Sequence, residues 1–363
     1  MHTTCRLWKK AAVCCLTMAA VSGCWDSKDV DNRLLVGTMG LELSSPSALR
    51  VWFRFPMSKS MQAPSATEFF TVSQNGLTVP DAMNKVKYKL PKALDAASTR
   101  AIMLDESIAA SNIYPYLEFA IRERSVPLDA LVAVVRGDMG RIFRSANPTG
   151  ELSGIYTKLF FEPYAGGIPR KNMTRLWEVY AKLTNPFQTN LIPLLAEGEQ
   201  NLIEFSGNAI FADGKMVGEL SKDESLLYEL FTHRFHDSEV VLMSRADLRI
   251  VHNHTRVSTA WKDGTPVIRL DCTLMTTLTD SSRSQRQNAA EIAAELESRL
   301  SELAESMFRK TRQAGADIFG FGNRFRGRLQ PSQASKWPEL FKTAQISYRF
   351  HIDIRNTGLE FLD

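Results

Sequence analysis

Apolar residues recur along this chain with two periods, and the switches between them mark out its elements. Residues 34–43 read as a first strand interrupted by Gly37 and Gly40. Leu49, Val51, Phe53 and Phe55 alternate along a second, and 67–73 predicts a third. Val79, Ala82, Met83, Val86 and Leu90 then fall at helical spacing. Stretches at 101–104 and 131–135 bracket a helix-like segment over 108–124. Strand and helix alternate here, which points to a mixed sheet with helices on one or both faces. A looser stretch, 147–171, is rich in Pro and Gly, and a helix near 173–183 ends at Asn185-Pro186, where proline disfavours continuation. A domain boundary is expected within 185–203.

The second half is patterned more plainly. Strands at 203–211 and 215–220 flank Asp213-Gly214, a strong hairpin signal. Ser221 and Glu224, three residues apart ahead of Leu226, Leu227, Leu230 and Phe231, form a capping box that opens a helix. Strands are predicted at 239–251, 255–262 and 266–279. A long helix over 287–312 carries one stripe of Ile292, Leu296, Leu300, Leu303 and Met307, with Glu295, Glu302 and Glu305 off it. Ile346, Tyr348, Phe350, Ile352 and Ile354 alternate strictly with polar residues, as in a half-buried antiparallel strand. The expectation is an α+β, multi-domain chain with mixed and antiparallel sheets, its C-terminal antiparallel sheet covered by the long helix. The expected units are a signal at 1–23, a tether at 24–33, an α/β region at 34–195 that can hold two subdomains, and an α+β domain at 203–363.

The first 23 residues have the layout of an export signal. Arg6, Lys9 and Lys10 lead into an apolar stretch over 11–21, too short to span a bilayer core of about 20 residues. Val21, Ser22 and Gly23 then precede Cys24. Small residues directly before a cysteine suit lipoprotein processing, in which Cys24 is acylated on its thiol and the signal is cut away; the alternative is an ordinary secretory cleavage nearby. Cys5, Cys14 and Cys15 would leave with the signal, so Cys272 alone would remain free, and no intramolecular disulfide could form. Cys272 alternates with Ile268, Leu270 and Leu274 and reads as a small buried hydrophobe.

Composition narrows the class without naming it. The chain has 363 residues, 44% apolar and 23% charged, as in ordinary globular proteins. Its net charge of +4 includes the three basic residues of the signal; without them 41 basic residues face 40 acidic ones. Nothing in that balance asks for nucleic acid. Catalytic patterns are missing as well: there is no G-x-S-x-G elbow and no phosphate-binding loop. Gly320-Phe321-Gly322 begins like a dinucleotide fingerprint, but Phe325 replaces the third glycine, and the segment follows a helix where a strand is needed. His233 with His236, and His252 with His254, form pairs without a third metal ligand. Asp105-Glu106 and Asp223-Glu224 each stand where a helix begins, which is their ordinary use. No catalytic residue, metal or cofactor is therefore expected.

Specific strings carry a resemblance. Cys24-Trp25-Asp26 is followed by Leu35-Val36-Gly37-Thr38-Met39-Gly40. Further on, Gln313-Ala314-Gly315-Ala316-Asp317-Ile318-Phe319-Gly320-Phe321-Gly322 ends the long helix. Trp337 and Phe341 come next, and the last strand runs into Ile354-Arg355-Asn356-Thr357-Gly358. Together these resemble the Ger(x)C family, the C-subunit lipoproteins of spore germinant receptors. The resemblance covers nearly the whole chain apart from about 145–200. It implies a non-enzymatic subunit with an α+β build, lipid-anchored on the outer face of the spore inner membrane. It also implies integral-membrane receptor subunits as partners, and leaves open whether this subunit binds the germinant. The segment around Asp317, Phe319, Gly320, Phe321 and Gly322, with Trp337 and Gly358, would be either a turn that docks the long helix or a contact with a partner. Two other classes compete: a substrate-binding lipoprotein feeding a transporter, against which the antiparallel patterns argue, and a lipid-anchored cell-wall enzyme, for which no constellation is found.

Overall fold

The computed structural model describes residues 33–45, 48–57, 69–123, 125–145, 153–161, 173–232, 239–242, 247–280, 288–329 and 334–356. The N-terminal half is built on the strands β1 (Arg33–Leu35), β2 (Thr38–Ser45), β3 (Ala48–Pro56), β4 (Phe69–Gly76), β5 (Ala93–Asp95), β6 (Ala101–Asp105), β7 (Leu131–Val135) and β8 (Leu191–Glu197). Its helices are α1 (Val79–Lys87), α2 (Glu106–Ala110), α3 (Tyr114–Arg122), α4 (Met139–Phe143), α5 (Ser153–Phe161) and α6 (Leu176–Leu183). The helix-like stretch expected over 108–124 is thus two helices. The first ends after Ala110, and Pro115 stands in the first turn of the second, where its missing N–H costs nothing.

β9 (Ile203–Ala212) and β10 (Lys215–Leu220) complete one eight-stranded sheet, in the order β10-β9-β8-β7-β6-β2-β3-β4. The middle strands β2, β6, β7 and β8 pair in parallel, and hairpins flank them on both sides. Parallel strands must be covered on both faces, and they are. Ile102, Leu104, Val132 and Val134 point to a layer containing α1, α3 and α6. Met103, Leu131, Ala133 and Val135 point the other way, toward Met139, Ile142 and Phe143 of α4 and Phe161 of α5. The sheet continues across the expected junction at 195–203, because β9 hydrogen-bonds along most of β8. The hairpin between β9 and β10 turns at Asp213 and Gly214, with φ of 48° and 74°.

The rest of the chain forms α7 (Lys222–Thr232), β11 (Glu239–Leu242), β12 (Asp247–Lys262), β13 (Thr265–Asp280), α8 (Ala289–Gln313), α9 (Gly322–Phe325), α10 (Trp337–Lys342) and β14 (Gln345–Asn356). The capping box at α7 is formed: the Ser221 N–H donates to Glu224 Oε2 at 2.8 Å and the Glu224 N–H to Ser221 Oγ at 3.1 Å. Four strands make a second sheet, ordered β11-β12-β13-β14. β11, β12 and β13 are antiparallel, as expected, but β14 pairs parallel to β13. Direction follows from connection: β12 and β13 meet through a tight turn at Asp263-Gly264, whereas α8 crosses over between β13 and β14.

One face of this sheet is dry. Leu248, Ile250, Ile268, Leu270, Cys272 and Phe350 pack there against α7 and α8. Burial holds the Cys272 thiol protonated, its pKa pushed up to about 11, which suits the hydrophobic role. The stripe of α8 runs through Ile292, Leu296, Leu300, Ala304, Met307 and Phe308, with Leu303 only half-buried. The same core takes in Leu191, Ile210 and Leu220 of the large sheet, so the two sheets share apolar packing.

Leu300 has no exposed surface. Leu300→Ala is therefore expected to lower unfolding free energy by about 2–5 kcal/mol in urea titrations. An unchanged midpoint would place that stripe outside the core.

Candidate functional site

The residues singled out after α8 converge on one buried carboxyl. The helix closes with the Ala316 N–H donating to the Thr311 carbonyl at 2.8 Å, and the chain turns at Asp317. Asp317 Oδ2 accepts from the Gly322 N–H at 2.8 Å and from Trp337 Nε1 at 2.9 Å, while Oδ1 has no hydrogen-bond partner among the described residues. The two glycines are dictated by space. Gly320 has φ +70°, and a Cβ there would lie 2.9 Å from the Gln188 side chain. At Gly322 a Cβ would meet Trp337 Nε1 at 2.6 Å.

Aromatic rings surround this polar knot. Trp337, 1% exposed, stands 5.2 Å from Phe325, 6.3 Å from Phe341 and 6.5 Å from Phe187, ring centre to ring centre. Phe319 packs 5.1 Å from Phe321, 5.4 Å from Tyr228 and 5.6 Å from Phe308. The reach extends to the large sheet through the loop before β8. There the Thr189 N–H donates to the Asp317 carbonyl at 2.9 Å, and Gln188 Nε2 lies 3.5 Å from the Ile318 carbonyl. Cavities of about 370 Å³ and about 530 Å³ flank this loop. The first is lined by Asn185, Gln188, Asp213 and Pro338 among others, the second by Phe187, Asn323, Arg326 and Leu329.

Asp317, Phe319, Gly320, Phe321, Gly322 and Trp337 are thus brought together, and their geometry is that of a docking turn. Cys24 with Val21, Ser22 and Gly23, the 24–33 tether as far as residue 32, His233, His236 and Gly358 all lie outside the described residues. His252 and His254 share the open face of β12. Asp105 caps α2 by accepting from the Ser107 N–H at 3.1 Å, and Asp223 lies 3.3 Å from Arg299. Among the described residues no group of three or more His, Cys, Asp or Glu side chains is placed to hold a metal, and no helix is long and apolar enough to cross a membrane. Sequence reading missed the loop at 184–190 and the contacts that Glu224 makes with α8. That carboxylate, a cap by its spacing, also takes Lys310 Nζ at 2.6 Å and Ser306 Oγ at 2.7 Å. Burial opposes its ionisation, but the lysine and the surrounding donors hold it below the usual carboxylate range.

Similarity to known proteins follows the same layout. A family described as spore germination protein N-terminal domain matches residues 26–197, and one described as spore germination B3/GerAC-like, C-terminal, matches residues 206–358. This chain belongs to the spore germination B3/GerAC-like family. Spore germination protein B3 of Bacillus subtilis (strain 168) is 24% identical over 221 residues, covering 60% of this chain and 59% of that protein. The chain thus spans about three fifths of the curated relative it matches. The crystal structure of the GerBC protein superposes with a TM-score of 0.54 at 16% identity, covering 87% of this chain and 97% of that one. The fold is shared.

The buried carboxyl makes stability depend on pH. Burial pushes Asp317 up from 3.8 to about 6, with the N–H groups of Gly322, Phe321 and Trp337 pulling the other way. Between those two values the folded chain still holds a proton that the unfolded chain has released, so this group's contribution falls as pH rises through the window. The total change is on the order of 3 kcal/mol. Asp317→Asn keeps an oxygen for both donors and removes the titration. Its stability relative to the parent should climb by about 2–3 kcal/mol from pH 4 to pH 7 in denaturant titrations. A difference independent of pH would show that the carboxyl titrates alike in both states.

Proposed function

We propose that this chain is a lipid-anchored, non-enzymatic subunit of a spore germinant receptor that docks on integral-membrane partner subunits and is required for the germination response to nutrients. The observation that carries the reading is the family match over both halves of the chain, 26–197 and 206–358. In this reading residues 34–195 and 203–363 act as two units, with β9 and β10 of the second lending strands to the sheet of the first.

The chemistry of the site supports the same reading. Asp317 is held between a backbone N–H and an indole N–H with no surface exposed, so it has no access to a substrate. Its neighbours are rings and glycines, which fix shape. A protein built this way acts by contact. The anchor is Cys24, placed by Val21, Ser22 and Gly23, and two acyl chains hold at a membrane where one is marginal. Tethering raises the local concentration of the subunit at its membrane partners, so a weak docking contact suffices.

Mass spectrometry of the N-terminal peptide should find Cys24 carrying a thioether-linked diacylglyceryl group, and Cys24→Ala should release the chain from that anchor with its fold intact. An unmodified Cys24, or a mature chain beginning elsewhere, would overturn the anchor. The same protein without residues 1–24 should hydrolyse no peptide, glycan or ester substrate. Turnover that survives repurification and is abolished by changing one carboxylate or histidine would refute the non-enzymatic reading. Purification of the receptor from spore membranes, with cross-link mapping, tests the docking itself.

A further inference from the structure

The four-stranded sheet has one face packed on α7 and α8; no described helix or loop covers the other. Register sorts the side chains of that open face into rows. Arg256, Asp271 and Arg349 form one row, and Ser258, Arg269 and Ser347 the next. Arg256, Arg269 and Arg349 are all exposed. Arg249, Lys262 and Arg355 extend the same face, against two further acids, Asp247 and Asp353. Six basic side chains therefore stand with three acidic ones, on a chain whose charges balance at 41 to 40 once the signal segment is set aside. This is a concentration of charge on one surface, and it creates a positive field there.

We propose that this open sheet face rests on an anionic phospholipid surface. Two observations favour lipid over a protein partner. The face is a ladder of three long strands, β12, β13 and β14, that pair along nearly their whole length. It presents no aromatic anchor: Trp261, Tyr348 and Phe350 all turn to the other face, toward the core. Protein interfaces draw their affinity from such anchors in desolvated pockets, whereas a basic surface near anionic lipid gains affinity with each Lys or Arg without them. The proposal rests on the membrane-bound reading for its setting. An acyl chain at Cys24 fixes the distance from the bilayer, and the basic face fixes which side of the molecule meets it.

The binding is tested without the anchor, so that its failure and the anchor's failure are separate results. Removing residues 1–24 leaves every described element, since β1 begins at Arg33. The probe is a vesicle of phosphatidylcholine with about one third phosphatidylglycerol, read by co-sedimentation at low and high salt. The truncated chain should bind these vesicles, should ignore pure phosphatidylcholine, and should be released by salt. The combined variant Arg256→Glu, Arg269→Glu, Arg349→Glu should lose at least about tenfold in partition with an unchanged melting temperature. A second combined variant, Lys89→Glu, Lys215→Glu, Arg309→Glu, makes the same change in net charge on other surfaces and should lose far less. Absence of binding to anionic vesicles, or equal losses in the two variants, overturns the proposal. Cross-links from this face to a receptor subunit in place of lipid would also overturn it and assign the face to protein.

Discussion

A carboxyl group without solvent, held among aromatic rings, sets the terms for half of this molecule. Asp317 must be satisfied because an unpaired buried acceptor is costly. Its partners are a backbone N–H five residues on and an indole N–H twenty residues on. To bring both to one oxygen the chain must turn sharply after α8, which excludes a side chain at Gly322, and α10 must present Trp337 inward. The carbonyl of the same residue accepts from Thr189, in the loop that leads into the large sheet. Side-chain and main-chain oxygens of one residue thus tie the C-terminal helical layer to itself and to the N-terminal sheet. The rings of Phe187, Phe319, Phe321 and Phe325 fill the space that the knot leaves.

This arrangement bears on how the two family segments relate. Only a short exposed turn, Glu199–Asn201, separates them, and they pack directly: Leu191 from the end of one and Ile210 and Leu220 from the start of the other lie in the same core as α8. Movement of one sheet against the other would expose apolar surface and break the bond from Thr189. A rigid joint is the simplest consequence. A displacement of one half then carries the other with it.

Much of the architecture was legible because periodicity reports which face of an element is buried. The alternation of Ile346 to Ile354 places a strand correctly, and Asp213-Gly214 places a turn. The same signal is silent on neighbours. Alternation looks identical whether a partner runs parallel or antiparallel, so it does not give the direction of β14, which the crossover by α8 makes parallel to β13. Likewise β9 and β10 read as strands of the C-terminal unit, and only hydrogen bonding to β8 shows that they extend the larger sheet. In the site, Asp317 and Trp337 stood out as residues, but their bond spans 20 positions with no periodic relation. Gln188 and Thr189 carried no signal, since a loop that meets its partner about 130 positions away leaves no local pattern.

The parallel pairing of β14 has a consequence for how the chain acquires its structure. A hairpin forms between neighbours in sequence, as β12 and β13 do, but α8, the Asp317 turn and α10 lie along the chain between β13 and β14. Pairing between positions so distant in sequence closes a long loop and is slow. The final strand is also the surface on which α8 rests, so the long helix lacks its support until the last residues are available. Folding of this unit is therefore completed from its C-terminal end, and a chain that stops short of β14 would leave the apolar stripe of α8 without its cover and open to aggregation.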